Sequence, residues 1–447
     1  MAYSPHTPTD RTAMLAEVGV PSVDDLFADI PPGVRARRFE IPPPLTEQEV
    51  RAELSRLAGR NSIPEVSFLG AGAYRHLVPS AVMEVIGRSE FATSYTPYQP
   101  EVSQGTLQSI YEFQSLICEL TGMEVASASH YDGATATAEA ALMACRLTGR
   151  GAIAISTAVN PEVRRVLATY CSGPGIEISE VPADMAQDGS GLTPVNAAQA
   201  VLDERFACLV AQQPNFFGGI EPMAELADAA HAIGAQLVAV VEPTSLGILE
   251  PPGTYDADIV AAEGQPLGIP VSFGGPYVGL MAARMASVRQ MPGRLVGATR
   301  DAQGRKGYVL TLQAREQHIR REKAASNICT NQALCALAAT AYLSAVGPEG
   351  LREVAELSLT QARHVAASLQ TAGLAERRFQ APYFAEVTLR IPDAARRHAR
   401  LAEQGIVAGL VLEREYPELP DCLLLAATEM TTDREIERLI EALKATQ

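Results

Sequence analysis

The stretch Asp258–Ala282, DIVAAEGQPLGIPVSFGGPYVGLMA, decides the fold. It reads as a short apolar strand (Asp258–Ala262), a Gly/Pro-rich loop, a tight turn at Gly274–Pro276 and a second strand running to about Ala282. Working outward from it, Ala152–Ser156 (AIAIS), Ala207–Gln212 (ACLVAQ) and Gln236–Val241 (QLVAVV) are near-continuous apolar runs, the pattern of strands buried on both faces. Helical stretches fall between them at Ala134–Leu147, Pro161–Tyr170 and Glu221–Ile233. Parallel strands with helical crossovers give a doubly wound α/β domain, assigned to residues 61–330, and such sheets bind ligands at the carboxyl ends of their strands. Gln265 stands in the loop just beyond one of those ends. The chain has only three lysines, Lys306, Lys323 and Lys444, against thirty-three arginines.

The 447 residues, 47% of them hydrophobic, suffice for a large core and a second, smaller domain. Residues 1–60 read as an arm. Thr9–Val18 and Ser22–Ile30 are expected to be short amphipathic helices and Pro31–Pro44 to be extended. Thr46 and Glu49 form a capping box before a third helix. Gln313–Leu343 is expected to be one long helix, basic at first and apolar later, bridging two domains. Residues 331–447 read as a small α+β domain, with helices at Gly350–Ala372, Pro392–Gln404 and Asp433–Thr446 and strands at Tyr383–Leu389 and Cys422–Ala426. The start, MAYSPHTPTDR, has no charged n-region followed by an apolar core, and no run reaches the roughly 20 apolar residues of a membrane span. The expectation is a cytoplasmic protein with no membrane partner. Seven cysteines without a CxxC spacing read as reduced packing residues, and no metal site is expected. A net charge of −16 argues against general nucleic-acid binding.

Five stretches are candidates for chemistry, each with an ordinary structural alternative. In Ser129–Thr135, SHYDGAT, a Gly-rich entry (Gly133) to an alanine-rich helix suits an anion, and His130 or Tyr131 precedes it; Asp132 or Thr135 would equally serve as a simple cap. Glu242 ends the Gln236–Val241 strand and is either a site carboxylate or a solvated strand end. Phe91–Glu112, FATSYTPYQPEVSQGTLQSIYE, holds Tyr95, Tyr98, Gln99, Glu101, Ser103 and Gln104 in a loop kept extended by two prolines. These are more hydrogen-bonding groups than a connector needs. The helix after it carries Leu107, Ile110, Phe113, Ile117 and Leu120 on one face and stops at Gly122. Gly70–His76 places two glycines before an exposed-looking Tyr-Arg-His, where Arg75 could fork onto a carboxylate or the segment could be a surface turn. Arg300–Lys323 is the one basic segment; Arg315, Arg320 and Arg321 are candidates to dock an acidic partner, or the run is a solvated face.

Strand, polar loop, tight glycine turn and strand resembles the way fold-type I pyridoxal-phosphate (PLP) transferases present their Schiff-base lysine, and Gln265 stands at that lysine's place. Taken together, GAYRH, SYTPYQPEVSQGTLQ, ASHYDGATATAEA, QQPNFFGGIE, FGGPYVGL and LQAREQHIRREKAASNICTNQAL resemble the glycine decarboxylase, or P-protein, family of the glycine cleavage system. The likeness is to the first of two homologous halves, which occurs as the separate α subunit of a split bacterial form and runs from about residue 10 to the C-terminus.

The resemblance implies a fold-type I α/β protein lacking the PLP lysine, paired with a second (β) subunit that carries PLP, as an α2β2 enzyme. Glycine is the implied substrate: CO2 is released and the aminomethyl group passes to the lipoyl arm of a small carrier, H-protein. Tyr95, Tyr98, Gln99, Glu101, Ser103 and Gln104 are then expected to line the partner's active site across the interface. His130, Gly133, Thr135, Glu242 and Gln265 would be a vestigial cofactor pocket, with Glu242 in place of the usual aspartate against the pyridinium nitrogen. Two other readings remain: an independent PLP enzyme using Lys306 or Lys323, and a catalytically silent scaffold that stabilises the partner and docks the carrier.

Overall fold

A computed structural model describes residues 5–35 and 41–446 of the chain, which divides into two compact units, Met1–Ser62 and Ile63–Gln447. In the first unit, Thr7 and Asp10 form a capping box on the helix Pro8–Val18, which Gly19 ends in the left-handed conformation. The helix expected at Ser22–Ile30 is only a 3-10 turn, Val23–Phe27. Val23, Leu26, Phe27 and Ile30 do fall at helical spacing, but all four are exposed, so no core holds that face, and three aspartates crowd the segment. Thr46 and Glu49 cap the helix Glu47–Ala58 as expected. Of the stretch expected to be extended from Pro31 to Pro44, residues 36–40 lie outside the described residues; Pro31–Val34 closes a turn instead.

The second unit is built on a seven-stranded sheet. Its order is Val125–Ala126, Gly279–Ala283, Ile259–Glu263, Gln236–Val241, Phe206–Gln213, Ala152–Ser156, Glu177–Val181. The five strands from Ile259–Glu263 to Glu177–Val181 are parallel, and Gly279–Ala283 runs antiparallel to both of its neighbours. Because these strands are apolar on both faces, each face is covered. Alternate residues of one strand belong to different cores: Leu237 and Ala239 pack on one side, Val238 and Val240 on the other. This is the doubly wound α/β fold the pattern predicted. The edge strand Glu177–Val181 is not legible from apolarity, since most of it is half-exposed and polar.

Beyond the sheet, Leu295–Arg300 and Lys306–Thr311 form an antiparallel hairpin, where the sequence reads as a charge run. Gln313–Leu343 is not one helix. Short helical turns occupy Gln313–Lys323, and the long helix begins only at Ala333. The intervening residues carry no apolar stripe, and Leu312, Arg321 and Asn331 take left-handed backbone angles that no helix tolerates. Helix Ala333–Thr371 is itself broken at Gly347 (φ 63°, ψ −177°), with Pro348 opening the second segment. It is long and apolar enough to pass for a membrane span. Its apolar residues, however, are shared out between the sheet core (Ala336, Tyr342, Leu343) and the C-terminal core (Ala362, Val365, Leu369).

The C-terminal layer is a four-stranded antiparallel sheet ordered Glu376–Arg377, Glu386–Arg390, Cys422–Ala426, Leu410–Val411. The helices Ala394–Ala402 and Asp433–Ala445 contribute Leu401, Ile436, Leu439 and Leu443 to its core. It meets the loop after Phe206–Gln213 at Gly218, whose carbonyl accepts from the Phe384 N–H. Gly218 has φ +90°, and a Cβ there would run into the Glu386 carbonyl. Gly218→Ala should therefore lower stability by more than about 2 kcal/mol in urea titrations, through backbone strain and steric conflict together. Gly304→Ala (φ +80°, open space) carries only the strain and should lose about 1 kcal/mol. Equal losses in the two variants would show that the close approach at Gly218 does not matter.

Candidate functional site

A cavity of about 520 Å³ opens at the carboxyl ends of the parallel strands. Gln212, Glu242 and Glu263 line it from strand ends, Asn160 from the loop after Ala152–Ser156, and Asp132 and Gly133 from a helix start. The chain leaves Ala152–Ser156 toward one sheet edge and returns on its other side at Phe206–Gln213. The cavity thus lies where an α/β sheet is expected to bind ligands.

The residues at that edge are already engaged. Gln265 is 1% exposed. Its Oε1 accepts from the Tyr74 N–H (2.8 Å), and its Nε2 donates to the carbonyls of Tyr74 (2.9 Å) and Ile269 (2.7 Å). The side chain is a clasp on backbone and does not line the cavity. Two residues earlier, Glu263 accepts from the N–H groups of Gly133 (2.8 Å) and Gln265 (2.9 Å). Its carboxylate therefore sits on the N-terminus of the helix Gly133–Thr148, where an anionic ligand would be stabilised. A Cβ on Gly133 would lie 2.6 Å from Glu263 N, so only glycine lets the helix start approach this strand so closely. Asp132 and Thr135 complete the same terminus as a capping box, which is the ordinary alternative read from the sequence.

Glu242 is not a solvated strand end. It lines the cavity but accepts from the Thr244 N–H (3.0 Å), the Thr244 hydroxyl (2.7 Å) and the Ser245 N–H (2.7 Å), and burial pushes its carboxyl up. His130 does not line the cavity either. It is fully buried, 3.1 Å from the Ser127 hydroxyl, and burial pulls its imidazole down to about 3, so it is neutral.

These residues do not fit PLP. The position where the resemblance expects a lysine is held by a clasped amide, the helix N-terminus by a carboxylate, and the cavity is lined by Asp132, Glu162, Glu242 and Glu263 with no Lys, Arg or His among its lining residues. A phosphate dianion would meet four carboxylates and no cation among the lining residues, and a guanidinium that reaches one of them, that of Arg165, is already paired with Glu162 (2.8 Å). None of the three lysines reaches the cavity. Lys306 is exposed on the hairpin, stacked over the rings of Tyr111 and Tyr308, and Lys323 lies in an exposed turn.

Gly70–His76 is not a surface turn. Tyr74 and the His76 side chain are buried, the latter 2.7 Å from Glu429, while Arg75 pairs with Glu435 (2.8 Å) and the Met430 carbonyl (3.1 Å) and is not free for a substrate. Sequence reasoning missed the anchor of this segment. Glu386 of the C-terminal sheet accepts from the Ala71 N–H (2.6 Å) and the Tyr74 hydroxyl (2.8 Å), and burial, helped by the Glu242 charge, pushes it up to about 7. An unfolded glutamate titrates at about 4.3. The folded chain thus keeps a proton that the unfolded chain releases. The stability tied to that proton is complete below the unfolded value and is lost as pH rises through about 7. Glu386→Gln cannot ionise, so its urea midpoints at about pH 5 and about pH 8 should lie closer together than those of the wild type. The gap should narrow by on the order of 2 kcal/mol; an unchanged gap would mean that Glu386 is ionised throughout.

The aromatic loop is held from behind. Tyr95, Tyr98, Gln99 and Glu101 are exposed, and Tyr95 Oη lies 3.4 Å from Thr330 Oγ1. Gln104 is structural: its amide accepts from the Tyr308 N–H (2.9 Å) and donates to the carbonyls of Tyr308 and Pro100 (both 2.8 Å), tying the loop to the hairpin. Ser103 precedes the helix Gln104–Thr121 without a side-chain capping bond. Beneath Tyr98 lies a group the sequence did not single out. Arg294 is 2% exposed and donates to Tyr98 Oη (2.9 Å), and Glu316 and His318 stand beside it. Arg294 follows an MPG turn and carries no motif, so only its contacts identify it. Of the basic residues proposed for docking, Arg315 turns inward to the carbonyls of Leu312 and Gly293 (both 3.2 Å), and Arg320 and Arg321 are exposed.

Comparison with known proteins agrees with this geometry. The family model for the glycine cleavage system P-protein matches residues 1–443. A protein of Moorella thermoacetica named "Probable glycine dehydrogenase (decarboxylating) subunit 1" is 52% identical over 446 residues, covering 99% of each chain. One of the same name from Thermomicrobium roseum is 51% identical over 448 residues, again with 99% of each covered. Among solved structures, a glycine decarboxylase (P-protein) of the glycine cleavage system in inhibitor-bound form superposes with a TM-score of 0.93 at 44% identity, covering all of both chains. A Burkholderia pseudomallei sphingosine-1-phosphate lyase matches at TM-score 0.67 and 14% identity over 94% of this chain and 93% of the lyase, and shows the fold alone. The chain belongs to the glycine cleavage system P-protein family, as a glycine dehydrogenase (decarboxylating) subunit 1.

Proposed function

We propose that this chain is the half of glycine decarboxylase that binds no cofactor of its own and completes an active site on a subunit 2 partner. The observation that carries the reading is the Gln265 amide, clasped to the Tyr74 backbone where a cofactor lysine would stand, beside a helix N-terminus filled by Glu263. In this reading PLP is held by the partner and supplies the electron sink for loss of CO2 from glycine. This chain supplies a wall: Tyr95, Tyr98, Gln99 and Glu101 project from a loop whose base is pinned by Gln104 and Arg294, so hydrogen-bonding groups meet the substrate in a fixed geometry and water is kept out. The assembly is an α2β2 heterotetramer in the bacterial cytoplasm, and the aminomethyl group leaves on the lipoyl arm of H-protein. Arg320 and Arg321, exposed and close to the loop's supports, are the residues here to meet an acidic carrier.

An absorbance spectrum with PLP, taken on the isolated chain and on its mixture with subunit 2, tests the reading. The isolated chain should show no borohydride-reducible band. The band and glycine-dependent CO2 exchange should appear only in the mixture. Gln265→Lys should remain without a band, because the substituted side chain still starts at a position aimed at Tyr74 and Ile269, and Glu263 still blocks the phosphate. A reducible band in the isolated wild-type chain would refute the reading. Exchange that survives every substitution in the loop would instead assign the chain a scaffold's part.

A further inference from the structure

Tyr98 is 48% exposed, yet an ion pair buried behind it holds its hydroxyl. Arg294 Nη2 donates to Tyr98 Oη (2.9 Å), and the guanidinium carbon lies 5.2 Å from the centre of the tyrosine ring. Nη1 of the same residue donates to Thr96 Oγ1 (3.3 Å), two residues back in the same loop. Its Nε stands 3.3 Å from Glu316 Oε2, though off the hydrogen-bond line, so neither atom completes a hydrogen bond. Glu316 is also buried and lies 3.6 Å from His318 Nδ1, while the His318 ring meets the Tyr98 ring edge-on at 5.6 Å. A cavity of about 150 Å³ lined by Glu316, His318 and Cys329 adjoins the cluster.

Arginine has only donors, so in the Arg294–Tyr98 bond the phenol oxygen is the acceptor and the phenol proton stays unused. Among the described residues no acceptor takes that proton. A tyrosine whose oxygen is held by a buried cation, and whose proton has no acceptor among the described residues, is left to donate to an anion that arrives from outside the chain. Burying the guanidinium and carboxylate costs desolvation that anchoring a surface ring does not require. The hydrogen bond also draws electron density from the phenol oxygen and makes the remaining O–H a stronger donor.

We propose that Arg294 is a positioning residue which, braced by Glu316 and Thr96, fixes Tyr98 as a hydrogen-bond donor to the carboxylate of the small amino acid bound on the partner subunit. The inference rests on the reading that the Phe91–Glu112 loop forms a wall of that site. Arg294 itself touches no substrate; it acts through Tyr98.

The test is glycine-dependent CO2 exchange by the chain assembled with subunit 2, PLP and H-protein, with assembly confirmed by size-exclusion chromatography. Tyr98→Phe and Arg294→Met should each lower kcat/KM by about 10- to 100-fold, the scale of one charge-assisted hydrogen bond. The double variant should be no more than about twofold below Tyr98→Phe alone, because both changes remove one interaction. Arg294→Lys keeps the buried charge but cannot hold Thr96 and Tyr98 together, and it should fall between wild type and Arg294→Met. If Arg294→Met does not assemble, Arg294→Lys alone and combined with Tyr98→Phe carries the comparison. Effects that multiply, or a normal rate for either Arg294 variant beside an impaired Tyr98→Phe, would overturn the inference while leaving the wall intact. A Tyr98→Phe enzyme at the wild-type rate would overturn the inference along with Tyr98's place in the wall.

Discussion

The carboxyl edge of a parallel sheet leaves polar groups that something must satisfy, and in this chain its own side chains do so. A helix that starts there presents N–H groups without intrahelical partners and the positive end of its dipole. In the helix Gly133–Thr148, Asp132 takes the Thr135 N–H and Glu263 takes the Gly133 N–H. Gln265 closes the remaining gap by binding both the backbone N–H and the backbone carbonyl of Tyr74. Once those bonds exist, the segment Gly70–Tyr74 has a fixed place over the cavity, and Glu386 can reach it from the C-terminal sheet. The large sheet and the smaller one are therefore joined through groups that a cofactor would otherwise occupy. The same fold in a lyase of 14% identity settles the architecture and not the chemistry, which is read from the site.

The burial of charge follows from this arrangement. Glu242, Glu263 and Glu386 are all pushed above the ordinary carboxylate range by burial, Glu386 further by the charge of Glu242 and Glu263 by that of Asp132. Each is nonetheless hydrogen-bonded, which a buried carboxylate requires if the fold is not to lose several kcal/mol. The result is a cavity of ligand-binding size whose acids are occupied internally. Its size is a consequence of the fold, and its chemistry excludes the anion that the fold is built to receive.

The sheet was legible because its signal is periodic and local: AIAIS and QLVAVV are apolar on both faces, and their strands fall where the pattern places them. The capping box at Thr46 was legible for the same reason, being a contact across three residues, and so was a cap at Asp132 or Thr135, which the structure resolves into a box using both. What the sequence hid depends on distant partners. Glu386 meets Ala71 and Tyr74 across more than three hundred residues, and Arg294 meets Tyr98 across nearly two hundred. Gln313–Leu343 was misread because charge without an apolar stripe says nothing about helix or turn, and the left-handed angles at Leu312, Arg321 and Asn331 settle it. Gln265 is legible as a polar residue just beyond a strand end, but that its amide turns away from the cavity follows only from the approach of Tyr74. The exposure expected for Tyr-Arg-His holds for Arg75 and not for Tyr74 or His76, whose hydroxyl and ring meet the distant carboxylates of Glu386 and Glu429.

Where a protein keeps buried polar groups that nothing in its own fold demands, their cost has to be set against a use. At the cavity edge every such group has a structural partner, so no further use is required. At the aromatic loop the balance differs. Hydrophobic residues of similar volume in place of Arg294 and Glu316 would fill the space behind Tyr98 at no loss of packing, and buried ion pairs are often no more stabilising than such replacements. The pair is also imperfectly bonded within the chain, with Arg294 Nε and Glu316 Oε2 both short of a hydrogen bond. An imperfectly bonded buried charge pair, lying under an exposed tyrosine whose proton has no acceptor among the described residues, directs the search for function away from the large cavity. It points to the loop, where the chain's polar groups are held in place but not yet used.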